Sequence, residues 1–317
     1  MDTLCLSHEE DVDGICSAAL IKIVKGCKVM LADYGDLLQA LKEVTNVKEF
    51  YLCDLGISKG TFDPFVENLE RISKFAKVYY IDHHPQTKKQ RKRLEEIGIE
   101  VHHSLKECTS VLVYDYFKES LPREAAFLAC YGAITDHMDD SSLAKKIISN
   151  YDRQFLLLEA SLLSFAISKN NRKEFLLEVV NQLSKLKLPH RIESINKLAF
   201  EQLDNIEQII ERIKREGRKI GRFGYLLTDE FPLGLMANMA KGVLGVDVGI
   251  ALKYKREERA YDVSLRASYS YKKHLGKIVD KLAKSLGGSG GGHAKASGCR
   301  INENKLGEFL ERLKVSL

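Results

Sequence analysis

A chain of 317 residues, 44% of them hydrophobic, can bury the cores of about two domains, and no run in it approaches the ~18 apolar residues of a membrane span. Its N-terminus enters a strand pattern directly, without a basic and apolar leader, so a cytoplasmic protein with no membrane association is expected. The net charge of +5 is mild, and the seven cysteines are odd in number, scattered and never in a Cys-x-x-Cys spacing, which disfavours a disulfide frame or zinc knuckle and suggests small core residues.

From Met1 to about Ser142, strand and helix patterns alternate. Thr3 to Ser7 reads as a strand that ends in His8, Asp11 and Asp13, and a helix opens at Gly14. Lys28 to Ala32 is a second strand, followed by a helix from Asp36 to Glu43. Glu49 to Cys53 is a third strand and ends in Asp54. A helix near Pro64 to Phe75 leads to a fourth strand, Lys77 to Ile81, which runs into Asp82, His83 and His84 before Pro85 stops the extended run. Ile99 to His102 reads as a fifth strand, and Thr109 to Phe117 and Arg123 to Thr135 read as helices, the latter ending at Asp136. Strands separated by helices predict a mostly parallel, doubly wound α/β sheet covered on both faces. In such a sheet functional groups collect at the carboxyl ends of the strands. Several strands delivering His and Asp to one solvent-facing edge therefore read as a metal site.

The middle of the chain, 143–219, lacks glycine until Gly217 and keeps apolar residues at helical spacing. Ile192, Ile195, Ala199, Leu203, Ile206, Ile210 and Ile213 suit one long amphipathic helix, either a packed linker or an arm for dimerisation or partner docking. From about 220 to 317 a smaller α/β unit is expected, with strands at Phe223 to Thr228, Val246 to Tyr254 and Ala260 to Ala267. Helices are expected there at Leu235 to Val243, His274 to Leu286 and Asn304 to Ser316. Its glycine run, Gly287 to Gly298 with His293 at the centre, reads as a flexible linker or, better, a substrate loop whose N–H groups approach an anion.

His8, Asp11, Asp13, Asp54, His83 and Asp136 offer four carboxylates and two imidazoles, a donor set for two divalent ions. Manganese is the first expectation, and magnesium, cobalt and zinc suit the same donors. Two such ions support phosphoester hydrolysis. Asp82 is expected to orient an imidazole rather than bind metal. Basic groups at Lys88, Lys89, Arg91, Lys92 and Arg93, at Lys214 to Arg222, and at Lys253 to Arg256 are either solvated surface or a track for a phosphate-rich partner. Asp33, His102, His103, His137, Asp139 and Asp140 read as surface or packing residues.

Asp11-Val12-Asp13-Gly14, Asp54-Leu55-Gly56, Asp82-His83-His84 and Ala133-Ile134-Thr135-Asp136 resemble the four motifs of the DHH phosphoesterase family. Gly290-Gly291-Gly292-His293, with Gly298, is similar to the glycine motif of its DHHA1 domain. The resemblance implies a DHH catalytic domain (1–142), a helical linker or insertion (143–219) and a DHHA1 substrate-binding domain (220–317), with the active-site cleft between the outer two. It implies that His8 and Asp11 hold one metal and Asp13 and His83 the other, with Asp54 and Asp136 bridging. His84 would face the substrate phosphate, Arg266 would grip a phosphate, and His293 and Gly290 to Gly292 would contact the scissile group. Two departures stand out. Only Glu9 and Glu10 separate His8 from Asp11, and Ala294-Lys295-Ala296-Ser297 replaces the commoner proline and double alanine after the histidine.

The expected activity is that of a short, archaeal-type RecJ-like exonuclease, in the setting of DNA repair, that converts single-stranded DNA or RNA, or short oligonucleotides, to mononucleotides. The alternatives are a phosphatase or phosphodiesterase for small nucleotides, such as 3′-phosphoadenosine 5′-phosphate or a cyclic dinucleotide, and a silent replication or repair scaffold. A Hef-type helicase, docked through the helical segment, and a homo-oligomer are the expected protein partners.

Overall fold

The computed structural model describes residues 2–57 and 60–317, and their contacts divide the chain into two units, Met1–Leu203 and Asp204–Leu317.

In the first unit, β1 (Thr3–His8), α1 (Val12–Lys25), β2 (Lys28–Ala32), α2 (Leu37–Glu43), β3 (Glu49–Cys53), α3 (Phe62–Ser73), β4 (Lys77–Asp82), α4 (Lys88–Glu96) and β5 (Glu100–His103) alternate strictly. The five strands are all parallel, in the order β2-β1-β3-β4-β5. The chain first steps outward from β1 to β2 and then returns to the other side of β1 for β3, so the order reverses between β1 and β3. That reversal is the crevice where open α/β sheets bind ligands.

The period of two along each strand divides the core. Cys5, Tyr51, Tyr79 and Ile81 face a cluster under α1, whereas Leu4, Leu6, Phe50, Leu52, Val78 and Tyr80 face another under α3. Each such side chain removed from water contributes about 1.5–3 kcal/mol. The first cluster also takes in α5 (Thr109–Phe117), α6 (Ala126–Thr135), α7 (Ser142–Ile148), α8 (Arg153–Lys169) and α9 (Lys173–Leu183), through residues such as Val111, Ala129, Ile147, Leu163 and Val180. Arg123–Ala125, expected as the start of a helix, is a single 3-10 turn before α6. All seven cysteines are buried thiols, the core role their scatter suggests.

Helix α10 (Glu193–Glu216) covers the long apolar stripe. Ile195 and Ala199 are buried in its first half and Ile209 and Ile213 in its second, but Leu203 is 43% exposed, so the stripe is not one continuous seam.

The second unit holds β6 (Arg218–Ile220), β7 (Phe223–Leu227), α11 (Leu233–Leu244), β8 (Val248–Lys255), β9 (Ala260–Ala267), α12 (Leu275–Ser285), β10 (Ser289–Gly292), β11 (Ala296–Asn302) and α13 (Leu306–Ser316). Its six strands run β10-β11-β9-β8-β7-β6, antiparallel except for the parallel pair β7 and β8. Alternation again sends Val248, Ile250 and Leu252 to one cluster and Ala251 to the other. The glycine run corrects the sequence expectation: Ser289–Gly292 is neither linker nor loop but an edge strand paired antiparallel with Ser297–Arg300. Glycine is required there by close approach, since a Cβ on Gly290 would lie 2.5 Å from Cβ of Cys299.

Candidate metal centre

The first unit brings His8, Asp11, Asp13, Asp54, His83 and Asp136 together at the carboxyl ends of β1, β3 and β4. Two groups of three can each offer one donor atom to a common ion, His8 with Asp11 and Asp54, and Asp13 with His83 and Asp136, all atoms of a group lying within 4.8 Å. Asp54 also groups with His83 and His84, and His8 with Glu10 and Asp33.

Local sequence positions each donor. Asp11 is the N-cap of α1: one carboxylate oxygen accepts from the Gly14 N–H at 2.9 Å and the other meets His8 Nδ1 at 3.0 Å. The two-residue gap between His8 and Asp11 thus allows direct contact. Asp13 is fully buried and anchored across the chain, accepting from the backbone N–H of Thr109 at 2.7 Å and of Ser110 at 2.9 Å, in the first turn of α5. Gly132 makes room for it, because a Cβ there would come within 2.5 Å of Asp13 Oδ1.

Asp54 follows β3 with φ of +60°, a left-handed conformation uncommon for a residue other than glycine, and is 1% exposed. Thr109 donates its hydroxyl to Oδ1 at 2.9 Å, while Oδ2 is buried without a hydrogen-bond partner. His83 Nε2 lies 3.3 Å from both Asp54 Oδ1 and Asp136 Oδ2. Burial, with the Asp13 and Asp11 charges next, raises the Asp54 carboxyl well above the usual range, and the same causes push Asp136 up to about 8. Burial lowers the pKa of His83, which favours the neutral imidazole that ligates metal. At His8 burial acts in the same direction, but the Asp11 and Asp33 carboxylates outweigh it and raise its pKa.

Crowded carboxylates, one with an orphaned buried oxygen, lack the positive charge they would need to ionise together. A divalent cation supplies that charge, and the hard oxygen and imidazole donors fit one.

Asp82 and His84 form a second layer. The expectation that the triplet faces solvent is incorrect for Asp82, which is fully buried. It can be buried because it accepts from the Tyr80 hydroxyl at 3.1 Å, the His84 N–H at 3.1 Å and His84 Nδ1 at 2.9 Å. Burial disfavours the His84 imidazolium, yet the bond to Asp82 outweighs it and the pKa is raised. Tyr34, which sequence reasoning missed, places its hydroxyl 2.9 Å from His84 Nε2 and its ring 5.1 Å from that of His8. Asp33, read as a spare polar residue, lies 3.4 Å from His8 Nε2. His103 bonds the carbonyl of His84 at 2.6 Å, whereas His102 pairs with Glu100. No local signal marks Thr109, Ser110, Tyr34 or Gly132, whose roles arise from contacts distant in sequence.

The remaining candidates belong to the second unit. Arg266 lies on β9 opposite Ala296 and donates to the Ser264 hydroxyl and the Leu265 carbonyl, both at 3.0 Å. Burial lowers its pKa, and among the described residues no carboxylate forms an ion pair with it. Gly290, Gly291 and Gly292 lie in β10, and His293 is exposed in the turn to β11.

Fold and site define a two-domain α/β protein whose candidate metal centre occupies the switch point of a parallel sheet. Residues 3–148 match the DHH family N-terminal domain and residues 228–316 the DHHA1 domain, so the chain carries both of these domains. A curated protein of Methanocaldococcus jannaschii, itself uncharacterized, is 37% identical over 73 residues, which is 22% of each chain. Among solved structures, a pGpG-specific phosphodiesterase from Vibrio cholerae aligns over 100% of this chain and 98% of its own, with TM-score 0.64 and 13% identity. RecJ from Thermus thermophilus in complex with Mn2+ aligns over 99% of this chain but 51% of its own, with TM-score 0.62 and 18% identity. The chain therefore spans about half the length of that RecJ, and at these identities the likeness is one of fold. Among the described residues, no helix is long and apolar enough to cross a membrane.

Proposed function

We propose that the protein is a two-metal-ion phosphodiesterase of RecJ-like exonuclease type, hydrolysing single-stranded DNA or RNA and short oligonucleotides to mononucleotides. The observation that carries this reading is the pair of three-donor groups around Asp54 and Asp136, with the buried Asp54 Oδ2 without a hydrogen bond.

His8, Asp11 and Asp54 would hold one ion and Asp13, His83 and Asp136 the other, manganese being the best match to the donors. When bound, the ions supply an activated water and charge for the attacked phosphorus. The chain's own contribution is orientation. Asp82 aims His84 and favours its protonated form, from which it can donate to a phosphate oxygen in place of the Tyr34 hydroxyl. In the second unit Arg266, without a carboxylate partner, serves as the phosphate grip, and Gly290 to His293 as the substrate strand.

A second reading, the small-nucleotide phosphodiesterase, is favoured by one specific finding. In the basic run after His84, Arg91, Lys92 and Arg93 pair with Glu95, Glu96 and Asp63, which leaves fewer charges for a long strand. The silent-scaffold reading fits poorly with a complete donor set. A helicase docked on the helical segment and self-association remain proposals for that segment.

The deciding experiment is manganese-dependent digestion of end-labelled single strands of two to about thirty nucleotides, in DNA and RNA, with 3′-phosphoadenosine 5′-phosphate and a linear diguanylate alongside. Stepwise shortening of long strands is expected, and the label lost first gives polarity. Consumption of dinucleotides or the mononucleotide alone would replace the exonuclease with a small-nucleotide enzyme.

A further inference from the structure

Tyr269 is 98% exposed, the most exposed large hydrophobic side chain among the described residues, yet its backbone carbonyl is held by a hydrogen bond. It sits three residues beyond Arg266, in a turn closed by the Tyr271 N–H on the Ser268 carbonyl at 3.1 Å. The Lys295 ammonium donates to the carbonyls of Ser268 at 3.1 Å, of Tyr269 at 2.9 Å and of Tyr271. The Ser268 N–H donates to the Asp247 carbonyl at 2.7 Å and the Ala267 N–H to that of Lys295 at 2.8 Å. Beneath the turn, Tyr271 is 2% exposed, with Arg222 5.6 Å and Lys295 5.9 Å from its ring.

One lysine spending its three donors on three carbonyls is a device for fixing a loop. It fixes the turn beside Arg266 and the His293 turn together, because Lys295 follows His293 by two residues and Ala296 pairs opposite Arg266. What this scaffold presents to water is one aromatic ring, followed three and four residues later by Lys272 and Lys273. A ring this exposed, on a hydrogen-bonded turn three residues along the chain from Arg266, can take a ligand at little cost in backbone freedom. Aromatic rings among cations are how proteins hold nucleobases whose phosphates they also grip.

We propose that Tyr269 is a base-stacking platform: the nucleobase of the nucleotide whose phosphate lies on Arg266 stacks on its ring. The ligand class is a nucleotide or an oligonucleotide end of any base, and Lys295 is the positioning residue that holds the platform. The inference rests on the nucleotide phosphodiesterase reading above and adds the recognition of the base to it.

Two measurements test it. In steady-state hydrolysis, Tyr269→Ala is expected to lower kcat/KM for dinucleotides about 10- to 100-fold, chiefly through KM, with Tyr269→Phe near wild type. The loss should vanish when the terminal nucleotide is abasic. In binding, Tyr269→Trp introduces the sole tryptophan of a chain that has none. With Mn2+ present, a phosphorothioate-linked dinucleotide should quench its fluorescence and the abasic analogue should not. Hydrolysis of dinucleotides by wild type with an unchanged Tyr269→Ala variant, or equal losses on base-bearing and abasic substrates, would overturn the stacking role alone. No hydrolysis of any nucleotide by wild type would overturn the phosphodiesterase reading and the platform with it.

Discussion

At the level of single residues, the division of labour between the two acidic groups nearest the histidines follows from their hydrogen bonds. Asp82 is as buried as Asp54, but its oxygens are hydrogen-bonded by Tyr80 and by His84, whereas Asp54 Oδ2 has no hydrogen bond and only His8 Nδ1 at 3.9 Å. A satisfied buried carboxylate orients its neighbours, and one left without a hydrogen bond suits the proposed cation. Asp82→Asn should therefore leave metal affinity close to wild type in a manganese titration while lowering kcat about 10- to 100-fold. The His84 pKa, raised by Asp82, should move down in the same variant when its ring protons are followed by NMR across pH. An unshifted His84 titration would show that another group holds the ring.

At the level of elements, helix α4 decides how far the basic run can reach a strand of nucleic acid. Its Thr87 and Gln90 form a capping box, and Arg91, Lys92 and Arg93 are engaged with carboxylates, leaving Lys88 and Lys89 in the first turn without ion pairs among the described residues. Exposed pairs such as these are worth at most about 1 kcal/mol, but they offset charge that a phosphate would otherwise feel. For the exonuclease, neutralising Lys88 and Lys89 together should weaken binding of long single strands and flatten its salt dependence, by about 1.4 in the logarithmic slope. Neutralising Lys92 should change the slope much less. Identical slopes for wild type and the double variant would confine α4 to packing and favour the small-nucleotide reading.

At the level of the whole molecule, the proposed metal centre should make stability fall with rising pH and rise with added metal. Asp136 has its carboxyl raised from the ordinary 3.8 to about 8, so the metal-free fold binds a proton that the unfolded chain releases near pH 4. The stability this contributes is fully present below about pH 4 and is lost as pH rises through about 8; the raised Asp54 acts in the same direction. Metal-free protein should accordingly melt at progressively lower temperature as pH goes from 5 to about 8, with Mn2+ restoring more at the upper end. Below pH 8, metal binding should release protons, seen as a buffer-dependent heat in calorimetry. A melting temperature that rises over that interval without metal would remove the carboxylate cluster as its cause.

The sequence by itself was enough for the class of fold and for the acidic and imidazole side chains that gather at the strand ends, because both are written locally. Alternation of period two assigns strand faces, and polar side chains that follow strand ends directly, as in Cys53-Asp54 and Ile81-Asp82-His83-His84, carry their placement with them. Even the long helix was visible from its apolar spacing. Tertiary structure alone decided what depends on partners distant along the chain: that Thr109 and Ser110 anchor Asp13 from 96 and 97 residues away, that Tyr34 caps His84, and that Asp33 faces His8. It also turned a glycine run that reads as a loop into strand β10, because edge pairing with β11 satisfies a backbone whose own propensity argues against a strand. Local preference is a weak term that long-range hydrogen bonds and burial override, and those are legible only once the chain has folded.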